Sequence, residues 1–309
     1  MLGPLPGPHR ERIAAAWPEA GITDSGYGDV VLSWTYDPQP VVDLLSAATP
    51  PRWVQLRSVG VDERILALTA AAGTTLTTGR GAHGVAVAEH AVTLLLAVLR
   101  GLPDLIGQQR DRVWLVPPTL RELAGRTVGV IGAGDVGGHV AALMRAFGTW
   151  VRVLRYRAQG RLTAPPALPW ADELYGPDER DAFLAGLQVL VVAAPLTPAT
   201  RGMLGEREFA LVAPGCVVIN VARGPIIDHP ALVSALRSGH LGGAALDVTD
   251  PEPLPPHSPL WSEPGVLLTP HCADHTQATD TRFVDLYLDR VRRFRSGQPL
   301  DAVDPVVGY

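Results

Sequence analysis

Short apolar runs alternate with amphipathic segments through the first 83 residues of the chain. The runs at 30–34, 53–58 and 74–78 are too short for helices and predict buried strands. The segments between them, 40–48 and 63–72, have apolar residues at helical spacing. Strands that alternate with helices in this way predict an α/β domain with a parallel sheet.

Six further apolar runs follow residue 126, each of them short and bounded by turn residues. Strands covered on both faces of a parallel sheet read as continuous apolar stretches, so these runs predict a second, larger sheet. The runs are 127–131, 150–154, 187–194, 216–221, 243–248 and 266–269. A last helix is predicted at 281–295.

The segment 85–100 is apolar almost all round, which is typical of a helix buried between domains or subunits. Its only ionisable interior residues are Glu89 and His90. They could form a catalytic pair. The alternative is an acid near the helix start beside a buried histidine with satisfied hydrogen bonds, and the sequence favours that alternative.

A glycine loop follows the predicted strand at 127–131. Gly132, Gly134 and Gly137 have the G-x-G-x-x-G spacing and precede apolar residues at helical spacing. The first glycine allows a tight turn, the second lets a pyrophosphate approach the backbone, and the third lets the helix pack close to the strand. The helix N-terminus offers free N–H groups to the phosphates. This pattern predicts a dinucleotide site.

The end of the predicted strand at 150–154 bears on which dinucleotide binds. An acid that would bind the ribose 2′-hydroxyl of NAD is expected about 20 residues past the glycines. Arg155 occupies this position, Arg157 lies two residues on, and the next acid is Asp172. A guanidinium suits a 2′-phosphate, which favours NADP over NAD. The alternative is a pair of solvated surface arginines.

Three residues with catalytic side chains each follow a separate predicted strand. They are Arg223, Glu252 and His271. Ligands of doubly wound sheets bind at the carboxyl ends of the strands, so a cation, a carboxylate and an imidazole are expected to converge there. Each alone has a simpler explanation: a local ion pair, a solvated acid in a proline-rich turn, or a helix cap.

Composition narrows the classes of function. The 309 residues suffice for two domains, and a net charge of −5 argues against nucleic acid as a partner. All 26 basic residues are arginine, which excludes a Schiff-base lysine. Cys216 and Cys272 have no metal-ligand spacing, so no metal site is expected. No secretion signal or apolar run of membrane-spanning length is present, so we expect a cytoplasmic protein without membrane contact.

The chain resembles the D-isomer-specific 2-hydroxyacid dehydrogenase family. Seven segments carry the resemblance, in the family's order and across most of the chain. They are SVGVD (58–62), VAEHAVTLLLAVLR (87–100), GAGDVG (132–137), APLTPATRGML (194–204), INVARGPIIDHPAL (219–232), ALDVTDPEPLPPHSPLW (245–261) and LTPHCA (268–273).

The resemblance implies an α/β fold in which a Rossmann-type doubly wound cofactor domain is inserted into a smaller, flavodoxin-like α/β substrate domain. The implied substrate domain comprises residues 1–83 and 277–309, and the implied dinucleotide-binding domain comprises residues 84–276. The resemblance also implies a homodimer built around the helix near 85–100.

The resemblance assigns roles as well. His271 would protonate the carbonyl oxygen of a 2-keto acid while the nicotinamide delivers hydride, and Glu252 would hold His271 and raise its pKa. Arg223 would bind the substrate carboxylate, together with backbone N–H groups of Val59 and Gly60. The implied cofactor-binding residues are Gly132, Gly134, Asp135, Val136, Gly137, Arg155, Arg157, Pro195, Thr200, Ala222 and Asp247, the last at the nicotinamide end.

The expected activity is therefore reduction of a small 2-keto acid, such as glyoxylate or hydroxypyruvate, with NADP as the favoured cofactor and NAD as the alternative. A second hypothesis is an NAD(P)-sensing binding protein of the corepressor type. Asp274 stands where the family more often has glycine, and it adds a negative charge near His271. The sequence leaves open which keto acid is used and which of four residues face it: Arg57, Arg80, His83 and Trp114.

Overall fold

The computed structural model describes residues 2–24, 28–117, 119–155 and 169–304. The chain divides into a first unit, Met1–His83 with Thr276–Tyr309, and a second unit, Gly84–His275. The first unit opens with elements that alternate along the chain. They are α1 (Gly7–Ala16), β1 (Val30–Ser33), α2 (Gln39–Leu45), β2 (Trp53–Leu56), α3 (Glu63–Ala72) and β3 (Thr75–Thr77).

The second unit begins at a long apolar helix and then alternates strands with helices. Its elements are α4 (Gly84–Leu99), α5 (Leu102–Asp111), β4 (Thr127–Ile131), α6 (Asp135–Ala146), β5 (Trp150–Leu154), β6 (Glu173–Tyr175), α7 (Arg180–Leu184), β7 (Val189–Val192), α8 (Glu206–Leu211), β8 (Cys216–Asn220), α9 (His229–Arg237), β9 (Leu241–Leu246) and β10 (Val266–Leu268). Helix α10 (Gln277–Arg295) then returns the chain to the first unit.

Each unit contains one parallel sheet within the described residues. The sheet of the first unit has the order β1-β2-β3, and that of the second has the order β10-β9-β8-β7-β4-β5-β6. The second sheet is doubly wound: the chain runs outward from β4 through β5 to β6, then returns to β7 on the other side of β4. Ligands of such sheets bind where the strand order reverses, here between β4 and β7, outside the carboxyl ends of the strands. The predicted fold class is confirmed.

The central strands of the second sheet are buried on both faces. Val189 and Val191 of β7 pack with α4 and α6 on one face, whereas Leu190 and Val192 pack with α7, α8 and α9 on the other. Burial on both sides explains why these strands read as unbroken apolar runs. Helix α4 is apolar all round because it packs against α6, β8 and β9 within the second unit.

The predicted strands are all present, with ends that differ from the prediction by at most two residues. Strand β6 and helices α1, α5, α7, α8 and α9 were not predicted. Among the described helices, none is by itself both long and apolar enough to cross a membrane; α4 and α5, bent by 65° at their junction, meet those criteria only as a pair.

Candidate active site

The glycine loop between β4 and α6 has the geometry that its spacing predicts. Gly132 has φ of +107°, and a Cβ there would lie 2.7 Å from the carbonyl oxygen of Ala193. At Gly137 a Cβ would lie only 1.9 Å from the carbonyl oxygen of Gly132, so no side chain fits. At Gly134 a Cβ would meet nothing within 4 Å, which leaves room for a ligand beside the backbone.

Helix α6 begins directly after this open position. The N–H groups of its first turn, Asp135 to Gly137, have no acceptor within the helix and carry the positive end of the helix dipole. Together with the space at Gly134, they fit the pyrophosphate of a dinucleotide. The Asp135 carboxylate, however, accepts a hydrogen bond of 3.0 Å from the N–H of Gly84, so it caps the start of α4. Cofactor contacts by Asp135 and Val136 stay predictions.

Arg155 lies at the carboxyl end of β5, next to the glycine loop. Its backbone N–H donates to Tyr175, and its side chain is partly exposed. In the described part of the chain, its guanidinium forms no ion pair with a carboxylate. It therefore lies beside the glycine loop, and its contact with a cofactor stays a prediction. Arg157 lies outside the described residues.

Pro195, Thr200 and Ala222 belong to the turns after β7 and β8. The Thr200 hydroxyl donates to the carbonyl of Pro195 at 2.7 Å and accepts from the N–H of Thr197, which closes the first turn. Ala222 donates its N–H to the side chain of Asn220 at 3.0 Å. Thr200 and Ala222 thus shape turns at the carboxyl edge of the sheet, and cofactor contacts by these three residues stay predictions.

Arg223, Glu252 and His271 follow β8, β9 and β10, three adjacent strands at one end of the sheet. The Asn220 side chain turns the chain after β8 by bonding the carbonyl of Arg223 at 3.0 Å. The next residue, Gly224, packs so closely on the loop after β9 that a Cβ would lie 2.0 Å from the carbonyl oxygen of Thr249. This contact brings the loops of Arg223 and Glu252 together.

Glu252 and His271 form a hydrogen-bonded pair. Nδ1 of His271 lies 2.8 Å from Oε2 of Glu252, while Oε1 of Glu252 accepts the N–H of Thr249 at 3.0 Å. An imidazole whose Nδ1 donates to a carboxylate presents Nε2 to a ligand. The side chains of His271 and Glu252 are 47% and 39% exposed.

The electrostatics of the pair follow from these contacts. The hydrogen bond to Glu252 raises the pKa of His271, against the opposing effects of burial and of the Arg223 charge. Partial burial pushes the pKa of Glu252 upward, but the hydrogen bonds from His271 and Thr249 and the Arg223 charge outweigh it and leave that pKa lowered. The pair therefore favours an ionised Glu252 beside a protonated His271.

Arg223 contributes a partly buried cation. Burial lowers the pKa of its guanidinium, opposed by the charges of Glu252 and Asp274. Its guanidinium donates a hydrogen bond of 2.6 Å to the carbonyl of Ala222, and within the described residues it forms no ion pair with a carboxylate. A guanidinium that acts electrostatically on His271, yet has N–H groups left over, suits an anionic ligand.

Asp247 is almost fully buried at the end of β9, with 2% of its surface exposed. Its Oδ1 accepts from the Thr269 hydroxyl at 2.6 Å and from the N–H of Cys272 at 3.0 Å, and its Oδ2 accepts from the N–H of Ala273 at 3.1 Å. The side chain thus holds the loop that carries His271. The predicted contact with the nicotinamide end stays a prediction.

His90 and Glu89 do not form a pair in the described structure. Glu89 is exposed, whereas Nε2 of His90 lies 3.0 Å from the Thr269 hydroxyl and 3.5 Å from Oδ1 of Asp247. Ligand atoms of His90, Asp247 and Cys272 lie within 4.8 Å of one another. Because the Asp247 oxygens already accept hydrogen bonds from the protein, this geometry favours a hydrogen-bond network over a metal site.

The predicted substrate residues of the first unit lie after β2. Val59 is exposed, and the Ser58 hydroxyl bonds the carbonyl of Gly60 at 2.8 Å. Arg57 is buried over the ring of Trp34 and ion-paired with Asp280, so it is not a solvated surface charge. Substrate contacts by Val59 and Gly60 stay predictions.

Two of the remaining pocket candidates differ sharply in exposure. His83 is buried, with Nε2 at 3.0 Å from the carbonyl of Arg57, whereas Trp114 is 98% exposed. Arg80 is exposed as well.

Comparison with known proteins identifies the family. Residues 92–273 match the model of the D-isomer specific 2-hydroxyacid dehydrogenase, NAD binding domain. The chain belongs to the D-isomer-specific 2-hydroxyacid dehydrogenase family. It is 34% identical over 222 residues to glyoxylate/hydroxypyruvate reductase A of Serratia proteamaculans (strain 568), which covers 72% of this chain and 68% of that protein.

Solved structures of the family agree over nearly the whole chain. The NADPH-dependent glyoxylate/hydroxypyruvate reductase of Sinorhizobium meliloti, in complex with NADP and sulfate, has a TM-score of 0.80 at 29% identity and covers 100% of this chain and 98% of its own. A D-isomer specific 2-hydroxyacid dehydrogenase of Xanthobacter autotrophicus Py2, in complex with NADPH and MES, has a TM-score of 0.79 at 31% identity, with 97% and 95% covered.

Proposed function

We propose that this dehydrogenase reduces a small 2-keto acid of the glyoxylate or hydroxypyruvate type to the D-2-hydroxy acid, with NADPH preferred over NADH. The observation that carries the proposal is the His271–Glu252 hydrogen bond of 2.8 Å, close enough to the guanidinium of Arg223 for its charge to act on His271. The similarity to glyoxylate/hydroxypyruvate reductases supports the substrate class.

The nicotinamide supplies a hydride to C2 of the keto acid when it is bound. His271 donates a proton from Nε2 to the carbonyl oxygen, because its Nδ1 is held by Glu252. Glu252 stays ionised and keeps the imidazolium oriented. Arg223 binds the substrate carboxylate and polarises the carbonyl. The N–H groups of Val59 and Gly60 are the further predicted donors to that carboxylate.

Cofactor-resolved turnover tests the proposal. Purified protein is assayed with glyoxylate and with hydroxypyruvate, with NADPH and NADH compared at equal concentration. Reduction with NADPH dominant is the expected result. Dominance of NADH would refute the cofactor preference and leave the chemistry standing. No reduction of any 2-keto acid in a wider panel, with tight cofactor binding retained, would refute the enzyme and favour a nucleotide-sensing protein.

Arg155→Asp should shift preference from NADPH towards NADH. The arginine lies at the end of β5 with no carboxylate partner in the described chain, so its charge is available for the 2′-phosphate, whereas aspartate repels that phosphate and can accept from a 2′-hydroxyl. The ratio of kcat/KM for the two cofactors measures the effect. Arg155→Ala is the matched control: it should weaken NADPH without improving NADH. An unchanged ratio in both variants would mean that Arg155 does not contact the cofactor.

We also propose that the protein is the homodimer that the resemblance implies around the helix near 85–100, and that a second copy covers the exposed apolar residues of α5 and of the segment after it. Helix α5 buries none of its residues, and Ile106 is exposed. The next segment exposes Trp114, Leu115 and Val116, the first at 98%. Clustered exposed apolar residues of this kind mark interaction sites.

Leu115→Glu should convert this dimer to a monomer, because a carboxylate would be buried without a partner at the interface. Light scattering should give twice the 32.8 kDa chain mass for wild type and that mass once for the variant. Phe147→Arg, on a separate exposed apolar position of the second unit, should leave the dimer intact. A wild-type monomer, or a variant that still dimerises, would contradict the proposed face.

A further inference from the structure

Three segments far apart in the chain meet at the buried carboxylate of Asp247. His90 comes from α4, Asp247 follows β9, and Thr269 follows β10. Nε2 of His90 lies 3.0 Å from the Thr269 hydroxyl, which lies 2.6 Å from Oδ1 of Asp247. His90 itself is partly buried, with 22% of its side chain exposed.

The direction of each hydrogen bond in the His90–Thr269–Asp247 network follows from which of these side chains has a proton to donate. Burial pushes the pKa of Asp247 upward, but the hydrogen bonds that it accepts outweigh this and leave the pKa lowered, so the carboxylate only accepts. The Thr269 hydroxyl must give its single proton to Asp247. Towards His90 that hydroxyl can only accept, so Nε2 of His90 carries a proton and donates to it.

The same aspartate holds the backbone of the histidine loop. The N–H groups of Cys272 and Ala273 donate to its carboxylate, and the N–H of His271 donates to its main-chain oxygen at 2.8 Å. His271 has φ of +50°, an uncommon conformation for a residue other than glycine. Such a conformation is strained and persists only where the surroundings enforce it. Asp247 supplies that enforcement with three successive N–H bonds.

We propose that His90 is a positioning residue for the acid catalyst: by donating to Thr269 it directs the threonine hydroxyl at Asp247, which fixes the loop and so places the imidazole of His271. His90 acts on the loop through Thr269 and Asp247, and its Nε2 also lies 3.5 Å from Oδ1 of Asp247. The inference rests on the proposed function, in which His271 is the proton donor. Helix α4 thus contributes to the site through His90, although His90 does not follow a strand of the sheet.

Paired substitutions separate positioning from general packing. His90→Leu and Thr269→Val each remove one link, whereas His90→Gln and Thr269→Ser can keep it. We expect the first two to lower kcat for keto-acid reduction by about 10- to 100-fold with little change in KM, since a ~1 Å misplacement of a reacting group can cost about 100-fold. His90→Gln and Thr269→Ser should recover most of the loss.

Two further results are expected of a single linked path. The double variant His90→Leu/Thr269→Val should be no slower than the worse single variant, because both break the same chain. In His90→Leu and Thr269→Val, the pH at which reduction declines should move less than it does in Glu252→Gln, because His271 keeps its Glu252 partner. Thr93→Val, which removes an exposed hydroxyl one turn along α4, should behave as wild type.

A readout without turnover tests the loop itself. Cys272 is partly exposed, whereas Cys216 is buried, so alkylation by iodoacetamide reports chiefly on Cys272. Release of the loop should make this alkylation several-fold faster in His90→Leu and in Thr269→Val than in wild type, and Cys272→Ala should abolish it. Wild-type alkylation rates and wild-type kcat in both variants would overturn the inference, as would additive losses in the double variant. Absence of wild-type turnover, by contrast, would refute the proposed function and leave the alkylation test of the loop in force.

Discussion

His271→Asn is expected to lower kcat for keto-acid reduction by about 10²–10⁴-fold, the usual contribution of a general acid. The asparagine amide can still donate to Glu252, so the local hydrogen bond survives while the transferable proton is lost. KM for the cofactor should change little. Stopped-flow measurement of NADPH oxidation under single-turnover conditions isolates the chemical step from product release.

The pH profile gives this prediction a second, independent form. The pKa of His271 is raised and that of Glu252 is lowered. The rate of reduction should therefore stay constant from a pH below the usual pKa of a glutamate to a pH above the usual pKa of a histidine. As pH rises through the raised His271 pKa, the imidazolium is lost and kcat/KM for reduction should fall. Oxidation of the hydroxy acid needs neutral His271, so its rate should rise over the same interval.

Glu252→Gln tests the cause of the shift. The hydrogen bond to the carboxylate is the largest effect that raises the pKa of His271, so its removal should move the alkaline decline of reduction to lower pH. His257→Asn, an exposed histidine in the loop that also carries Glu252, is the control and should leave both rate and profile unchanged. A wild-type kcat in His271→Asn would exclude His271 as the acid.

Much of this fold can be predicted from sequence because parallel strands buried on both faces leave a continuous apolar signature. The elements that were missed lack such a signature. Helix α1 buries only Ile13, and α5 buries none of its residues, so neither contributes a stripe of core residues. Helix α8 is only six residues long, and strand β6 has three partly buried residues at the edge of the sheet.

In the candidate site, too, the sequence predicts some residues, whereas others are found only from contacts in the structure. Arg223, Glu252 and His271 can be found from sequence because each follows a strand, and parallel strands end at one edge of the sheet. The positive φ of His271 and the support from Asp247 depend on contacts between β9 and β10, which no local pattern reports. For His90 the sequence left a choice between a catalytic pair with Glu89 and a satisfied buried histidine. Only the tertiary contact with Thr269 decides for the second.

Arg223→Ala is the second substitution with a large expected effect. It removes the cation that would bind the substrate carboxylate and polarise the carbonyl, and loss of one such donor typically costs about 10²–10³-fold in rate. We therefore expect kcat/KM for the keto acid to fall by at least this factor, with KM raised as well. Arg223→Lys should recover only part, because an ammonium lacks the bidentate fork. Arg237→Ala, which removes an arginine of α9 paired with Glu263, should keep wild-type kinetics.

The sign of a pKa change distinguishes this role from damage to the fold. The charge of Arg223 lowers the pKa of His271, so its removal should raise that pKa further. In Arg223→Ala the alkaline decline of the residual reduction should therefore move to higher pH, opposite to the shift expected for Glu252→Gln. A misfolded loop would separate His271 from Glu252 and move the decline to lower pH. The direction of the shift thus decides whether Arg223 acts on the substrate beside an intact His271–Glu252 pair, and an unchanged kcat/KM would remove it from the site altogether.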